Sequence, residues 1–220
     1  MKARKNGSAK GAASRGFTLI ELLVVVAVMA ILLAVSLSGG KSGRQAMALK
    51  SSSADLISLV EMTRQSALTH NTTAQLMVCI DPSQPGQYLR QVISVYQDQD
   101  ANGNTVWVRN SSDLVLRDNV FFDTDCLTKP STASILPTQA YFNTTTMNPG
   151  SGALWAVYSF SSNGTCTQGG AALVLTSGVM NGSSLQTPNT TLVDGFMIQR
   201  LGSVISFQSP TQITQLLGQL

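Results

Sequence analysis

The 220-residue sequence predicts an α+β fold in which one long N-terminal helix precedes an antiparallel β-sheet domain. Three observations predict this order. An apolar run follows a short basic segment, a stretch with helical spacing comes next, and apolar residues then alternate with polar ones at a spacing of two. Charged residues make up only 11% of the chain, which is typical of an exported protein with a polar but uncharged surface.

Residues 1–16 form a basic segment that we interpret as a leader. Five of the 14 basic residues lie there and no acidic residue does: Lys2, Arg4, Lys5, Lys10 and Arg15. Without this segment the net charge changes from +3 to a formal −2, because nine basic residues then face 11 acidic ones. The basic character of the sequence therefore belongs to the leader and gives no reason to expect nucleic-acid binding by the remainder.

The run from Leu19 to Leu37 is apolar except for Glu21 and Ser36. As a helix it would extend roughly 28 Å, enough to cross the hydrocarbon core of a bilayer. Because the basic leader outweighs the bases after the run, we expect one pass through the inner membrane with a cytoplasmic N-terminus. An ordinary secretory signal peptide is the alternative. The length of the run and the carboxylate of Glu21 argue against it, because a plain signal has no use for a costly acid.

The residues Arg15–Val24 read Arg-Gly-Phe-Thr-Leu-Ile-Glu-Leu-Leu-Val and resemble the class III signal of type IV prepilins. The resemblance implies that a prepilin peptidase cleaves between Gly16 and Phe17, and that Phe17 is then N-methylated. It also implies that Glu21 neutralises a terminal amine when the chain assembles with other pilin or pseudopilin subunits. The chemistry agrees, because an amine at Phe17 and a carboxylate at Glu21 are one helical turn apart and can cancel in a low-dielectric bundle.

This resemblance implies a pilin-like organisation in three parts. The leader covers 1–16, a transmembrane and assembly helix covers 17–40, and a head in the periplasm or in an extracellular filament covers 41–220. Within the head we expect a helix over 44–70 and a β-rich region over 74–208.

The long helix is expected to weaken at Ser38-Gly39-Gly40, where glycine favours a kink or a locally melted stretch. Beyond this point apolar residues recur at helical spacing, at Leu49, Leu56, Val60 and Ala67. The stripe predicts that the second half of the helix is amphipathic and packs along one face of a β-sheet.

Alternating segments predict the strands that build this sheet. They lie near 76–80, 88–97, 105–109, 114–116, 155–160, 172–176, 193–199 and 204–208. Polar stretches with proline and glycine at 128–149 and 177–189 are predicted to be long surface loops.

The segment Asp98–Asn104 joins two of the predicted strands. Its order Asp-x-Asp-x-Asn-Gly imitates the start of a calcium loop, but Arg109 stands where such a loop needs a glutamate. Hairpin turn chemistry explains Asn102-Gly103 without a metal. A turn is therefore the favoured interpretation, with a looser calcium site at Asp98–Asn102 as the alternative.

The second half of the chain is similar to the H-type minor pseudopilins of type II secretion and the related minor pilins of type IV pili. The resemblance rests on Tyr158–Gly164, the strand after it, and a final hairpin at Phe196–Gln208 that turns at Gly202. It implies a structural subunit, with a surface-displayed pilin that binds DNA or another ligand as the alternative. DNA-binding members carry Gly-Arg-x-Arg here, whereas this chain has Gly-Ser-Val-Ile with only Arg200 nearby, so DNA is not an expected partner.

The remaining reactive residues offer little for catalysis. His70 is the one histidine and lies near the expected helix end, where a cation suits the helix dipole. No nucleophile elbow, metal cluster or nucleotide loop occurs, so we expect neither an enzyme nor a cofactor or metal. Cys79 is predicted to be a buried core residue. A disulfide between Cys126 and Cys166 is one interpretation of the remaining cysteines, and three free thiols are the other.

Overall fold

The computed structural model describes residues 18–123, 138–187, 192–209 and 211–212, with the backbone alone at 34–42, 138 and 171. The chain divides between Ser42 and Gly43 into two compact units, an N-terminal unit and a head. Each unit is described by itself below.

Helix α1 covers Leu19–Thr69. Its backbone is helical through Gly39 and Gly40, so the expected melted stretch does not occur. Two glycines weaken a helix by roughly 1 kcal/mol each, but extending an existing helix is much easier than nucleating a second one. The helix ends where Asn71 adopts a left-handed conformation with φ 50°. The Thr72 N–H then donates to the Ala67 carbonyl at 3.1 Å, which closes the last turn.

Thirteen strands follow the helix among the residues that the structure describes, and they confirm the predicted α+β class. They are β1 Ala74–Cys79, β2 Gln91–Gln99, β3 Thr105–Arg109, β4 Leu114–Val115, β5 Val120–Phe122, β6 Thr138–Asn143, β7 Asn148–Pro149, β8 Ala153–Phe160, β9 Ala171–Ser177, β10 Val179–Asn181, β11 Ser184–Gln186, β12 Val193–Ile198 and β13 Val204–Phe207. Every strand pair among them is antiparallel, as the alternating pattern predicts.

The strands form two larger sheets and one hairpin. The first sheet has the order β3-β2-β1-β8-β6-β7, with β4 beside β3 on the same edge of β2. The second sheet has the order β13-β12-β9-β5, and β10 pairs with β11 in a separate two-stranded hairpin.

The main core of the head lies between the helix and the two sheets. The predicted stripe is confirmed, because Leu49, Leu56, Val60 and Ala67 are all buried in one cluster with side chains from both sheets. Strand β1 shows how the first sheet divides its two faces. Leu76 and Val78 face the helix, whereas Met77 and Cys79 alternate with them and join a second cluster around Trp155.

A buried polar network fixes how the head half of α1 lies on the first sheet. The Thr63 hydroxyl donates to the Leu59 carbonyl at 2.7 Å and lies 2.8 Å from the Ser94 hydroxyl on β2. Asn110 completes the network, because its side-chain amide donates to Ser94 and its oxygen accepts from Ser66 at 2.7 Å. Buried polar groups must be paired, so the helix can satisfy them in few other positions.

The two predicted loops are wrong in part. The stretch 128–149 contains β6 and β7, and the stretch 177–189 contains the β10–β11 hairpin, which turns at Gly182 with φ 61°. Strand β5 was also not predicted. Strand β5 is apolar but only three residues long, and β6, β7, β10 and β11 are at most six residues long and mix polar with apolar residues. Strand β6 takes its hydrogen-bond partners from β8 and β7, which its own residues do not indicate.

Candidate functional site at the start of the helix

The N-terminus of α1 is closed by a reciprocal pair of hydrogen bonds between Thr18 and Glu21. The Thr18 N–H donates to Glu21 Oε2 at 3.0 Å, and the Thr18 hydroxyl donates to the same oxygen at 2.9 Å. The Glu21 N–H in turn lies 3.4 Å from the Thr18 hydroxyl. This is a capping box, in which the residue before the helix and the third residue within it satisfy each other's free groups.

The capping box places the carboxylate of Glu21 at the positive end of the helix dipole and holds it there. Only Oε2 is engaged, because among the described residues Oε1 has no hydrogen-bond partner. The side chain of Glu21 is exposed. The arrangement therefore offers one carboxylate oxygen, in a fixed position, to a hydrogen-bond donor or cation from another molecule.

Apolar side chains surround this carboxylate on every side of the helix. From Leu19 to Leu33 the large apolar side chains are between 46% and 83% exposed. Leu22, Leu23, Val24, Val25 and Val26 are successive residues, so the exposed apolar surface covers the whole circumference of the helix. A helix that is apolar all round is stable only when lipid or other helices cover it.

Within the part of the chain that the structure describes, no helix is both long enough and apolar enough to cross a membrane. The predicted single membrane pass is therefore not confirmed. Gly16 and Phe17, the predicted cleavage and methylation residues, lie outside the described residues, and their roles stay predictions.

The sequence interpretation identified Glu21 but missed its partner. Thr18 contributes two of the hydrogen bonds that hold the carboxylate, and nothing in the charge pattern points to it. The signal was present in the spacing Thr-x-x-Glu directly before an apolar run, which is the usual signature of a capping box.

Arg200, the residue named for the alternative DNA-binding role, lies exposed at the β12–β13 turn. It lines a shallow cleft of about 490 Å³ with Thr167, Met197 and Gln199 among others. The predicted turn at Gly202 is confirmed with φ 80°. Any side chain there would press against the Gly164 carbonyl and Arg64.

Most described arginines of the head are neutralised within the head itself. Four of them lie within 4 Å of a carboxylate: Arg64 with Glu61, Arg90 with Asp118, Arg109 with Asp113, and Arg117 with Asp55. The structure therefore does not bring these arginines together with Arg200 into a single unpaired basic surface.

The Asp98–Asn104 segment is a hairpin turn between β2 and β3, as predicted. Asp100 organises it, because its side chain accepts hydrogen bonds from the Asn102 and Asn104 N–H groups at 2.8 Å. A hydrogen bond from the Asn104 side chain, together with these backbone bonds, holds the pKa of Asp100 below its usual range. Among the described residues no group of three or more metal-binding side chains occurs.

The predicted disulfide is not supported. Cys166 is a free, buried thiol in the head core, and Cys126 lies outside the described residues. Burial raises the pKa of the Cys166 thiol, which keeps it protonated and unreactive at neutral pH. Cys79 is a fully buried free thiol on β1, which confirms its predicted core role.

His70 lies immediately after the end of α1, close to its predicted position. Its ring stacks on Tyr96 of β2, with 4.1 Å between the ring centroids. The contact packs the end of the helix against the first sheet, which is a structural role.

Comparison with known proteins identifies one motif. The prokaryotic N-terminal methylation motif matches residues 11–37, which include the whole capping box. No curated protein and no solved structure matches the chain. The motif supports a type IV pilin-like protein and implies processing by a prepilin peptidase. The resemblance of the second half to the H-type minor pseudopilins is not confirmed.

Proposed function

We propose that this chain is a minor pilin or pseudopilin, a structural subunit of a type IV pilus or of a type II secretion pseudopilus. A prepilin peptidase removes residues 1–16, Phe17 becomes the methylated N-terminus, and the apolar helix holds the subunit in the inner membrane before assembly. The carrying observation is the methylation motif at 11–37 together with a helix whose large apolar side chains are exposed from Leu19 to Leu33.

The geometry of Glu21 supports an assembly role. In a bundle of such helices the apolar surface is covered, and a carboxylate left unpaired there would be strongly destabilising. The methylated amine of a neighbouring Phe17 is a cation of the right kind, and Glu21 Oε1 is open to receive it while Thr18 holds Oε2. Because only one axial stagger brings the amine to the carboxylate, the pair selects how subunits align.

The head supports a structural role more than ligand capture. Four of its described arginines are paired with acids of the same chain, and a fifth, Arg200, lines an open cleft. Neither catalysis nor a cofactor is part of the proposed function.

Mass spectrometry of the N-terminus of the membrane-bound chain tests the proposal. We expect a mature chain that begins at Phe17 and is heavier by one methyl group on its amine. The Gly16→Ala substitution enlarges the residue before the cut and serves as the processing variant, while Gly43→Ala, in open space on the same helix, is the matched control. A mature chain that begins between 35 and 40 would show an ordinary signal peptide and contradict the proposal.

A further inference from the structure

An asparagine directly before a glycine can modify itself, and this chain has four such pairs, at Asn6, Asn102, Asn163 and Asn181. The glycine backbone nitrogen attacks the carbonyl carbon of the asparagine side chain, because glycine has no Cβ to hinder the approach. A carbon–nitrogen bond forms and closes a five-membered imide ring, while the side-chain nitrogen leaves as ammonia. Water then opens the ring, and the product is an aspartate or an isoaspartate.

The folded structure decides how fast this reaction runs at each pair. The glycine N–H must lose its proton, the side-chain amide must turn towards the backbone, and water must reach both groups. A hydrogen bond to either group opposes the reaction, because that bond must first be broken. Asn6 lies outside the described residues, so the structure compares the other three pairs.

The pair Asn163-Gly164 is held at both reacting groups. The Gly164 N–H donates to the Ser161 carbonyl at 2.7 Å, and Gly164 is buried. The Asn163 side-chain oxygen accepts from the Thr165 N–H at 3.1 Å and from the Thr165 hydroxyl at 2.8 Å. Both the attacking nitrogen and the attacked amide are therefore engaged, and we expect this pair to react slowly.

The pair Asn102-Gly103 is held at the attacking nitrogen. The Gly103 N–H donates to the Asp100 carbonyl at 2.9 Å, and the Asn102 N–H donates to the Asp100 carboxylate at 2.8 Å. Both residues of the pair are nevertheless exposed to water. An intermediate rate is expected there.

The pair Asn181-Gly182, at the tip of the β10–β11 hairpin, is open in every respect. Asn181 and Gly182 are exposed, and nothing lies within 4 Å of the position that a Cβ on Gly182 would take. Among the described residues, neither the Gly182 N–H nor the Asn181 side chain has a hydrogen-bond partner. Asn181 pairs with Ser184 in a hairpin of two three-residue strands, and such a hairpin opens more easily than a strand inside a larger sheet.

We propose that Asn181-Gly182 is a spontaneous deamidation site, at which the chain converts its own asparagine to aspartate or isoaspartate with water as the co-reactant. The product has one more negative charge at the exposed tip of the hairpin. Isoaspartate also adds one atom to the backbone before Gly182, so it disturbs the pairing with Ser184. The reaction needs no partner and does not depend on the proposed function.

Peptide mass mapping of the full chain, solubilised in detergent, tests the proposal. The chain is kept in mildly alkaline buffer made with heavy-oxygen water, so that only sites modified during the incubation take up the label. Deamidation at Asn181 should be at least about fivefold faster than at Asn163, because local opening differs between parts of one fold. The rate at Asn102 should lie between these two. The variant Asn181→Gln keeps the amide but lengthens the side chain, and it should remove the label from that peptide alone.

The same incubation in concentrated urea is the matched control. The three pairs lose their tertiary hydrogen bonds there, so their rates should agree to within about twofold. An Asn163 or Asn102 rate that equals the Asn181 rate in the folded chain would overturn the proposal. So would a fivefold difference that persists in urea, because the local sequence and not the fold would then set the rates.

Discussion

The two halves of α1 differ in whether their apolar side chains are buried by the rest of the chain. In the head, the helix concentrates its large apolar side chains in one stripe, and the sheets bury that stripe. In the N-terminal unit, apolar side chains surround the helix and remain exposed. The apolar side chains of the head half are thus buried by the same chain. Those of the N-terminal half are stable only when lipid or other protein covers them. The difference shows which half builds the fold, and under the proposed function the other half is the one that enters the assembly.

Their polar groups differ in the same way. Thr63 in the head half binds Ser94 of the same chain and is fully buried. Among the described residues, Glu21 in the N-terminal half is bound only by Thr18 of its own helix cap, and its Oε1 accepts no hydrogen bond. Thr63 therefore forms its hydrogen bonds within the head, whereas the Glu21 carboxylate offers an oxygen to a donor from another molecule.

The largest expected effect is at Glu21, where the comparison predicts dependence on another subunit. Glu21→Ala should still be inserted and cleaved but should enter sheared filaments at least about tenfold less, because an unpaired amine in the bundle costs several kcal/mol. Glu61→Ala is the control, since it removes an exposed acid from the head half of the same helix. Immunoblots of sheared filaments measure both. Normal incorporation of the Glu21 variant would remove the assembly role.

The same leucine substitution made in each half of α1 should have different effects on the free energy of unfolding of the head. Leu56→Ala should lower the free energy of unfolding of the head by about 3 kcal/mol, because it opens a cavity in a fully buried position. Leu23→Ala changes the same side chain where it is exposed and should leave the head unaffected. Denaturant unfolding of the detergent-solubilised chain, followed by tryptophan fluorescence, measures both. Similar losses in the two variants would contradict the division of α1.

The buried polar network gives a smaller effect. Thr63→Val keeps the shape of the side chain but leaves Ser94 and Asn110 with fewer partners in the core, which should cost about 1–3 kcal/mol. Thr69→Val, near the helix end, removes a hydroxyl that is bound only by the exposed Gln65 side chain. Its effect should stay within about 0.5 kcal/mol. Equal midpoints of denaturant unfolding for the two variants would show that the network does not position the helix.

The smallest expected effect is the absence of DNA binding by the head. An isolated head beginning at Gly43 should bind duplex DNA no more tightly than about 10 μM at roughly 0.15 M salt, because few unpaired bases are available to displace counterions. Arg200→Ala should change nothing measurable. Fluorescence titration at two salt concentrations tests this. Micromolar or tighter binding that weakens steeply with salt, and that Arg200→Ala removes, would support the DNA-binding alternative.

The sequence predicted the elements whose signal is local. The stripe from Leu49 to Ala67, the β2–β3 hairpin around Asp100 and the turn at Gly202 each depend on residues close together in the chain. Strand β6 and the β10–β11 hairpin were not predicted, because the strands are short and half of their residues are polar. Strand β6 pairs with β8 on one edge and β7 on the other, and these partners lie outside its own segment.

The residues of the candidate site carry local signals of the same kind. Glu21 stands out as a lone acid in an apolar run, and Thr18 follows from the spacing of a capping box. The burial of Cys166 could not be predicted, because it lies in a polar segment. Its pairing with Phe160 of β8 and its place in the main core depend on the folded head.

The sequence by itself determined the N-terminal region, because a motif of adjacent residues and an uninterrupted apolar helix need no distant contact to be specified. Only the tertiary structure decided which face of each sheet is buried, which strands pair, and that Thr63 meets Ser94 on β2. Those contacts join residues that are far apart in the chain, and their free energy exists only when the whole head has folded.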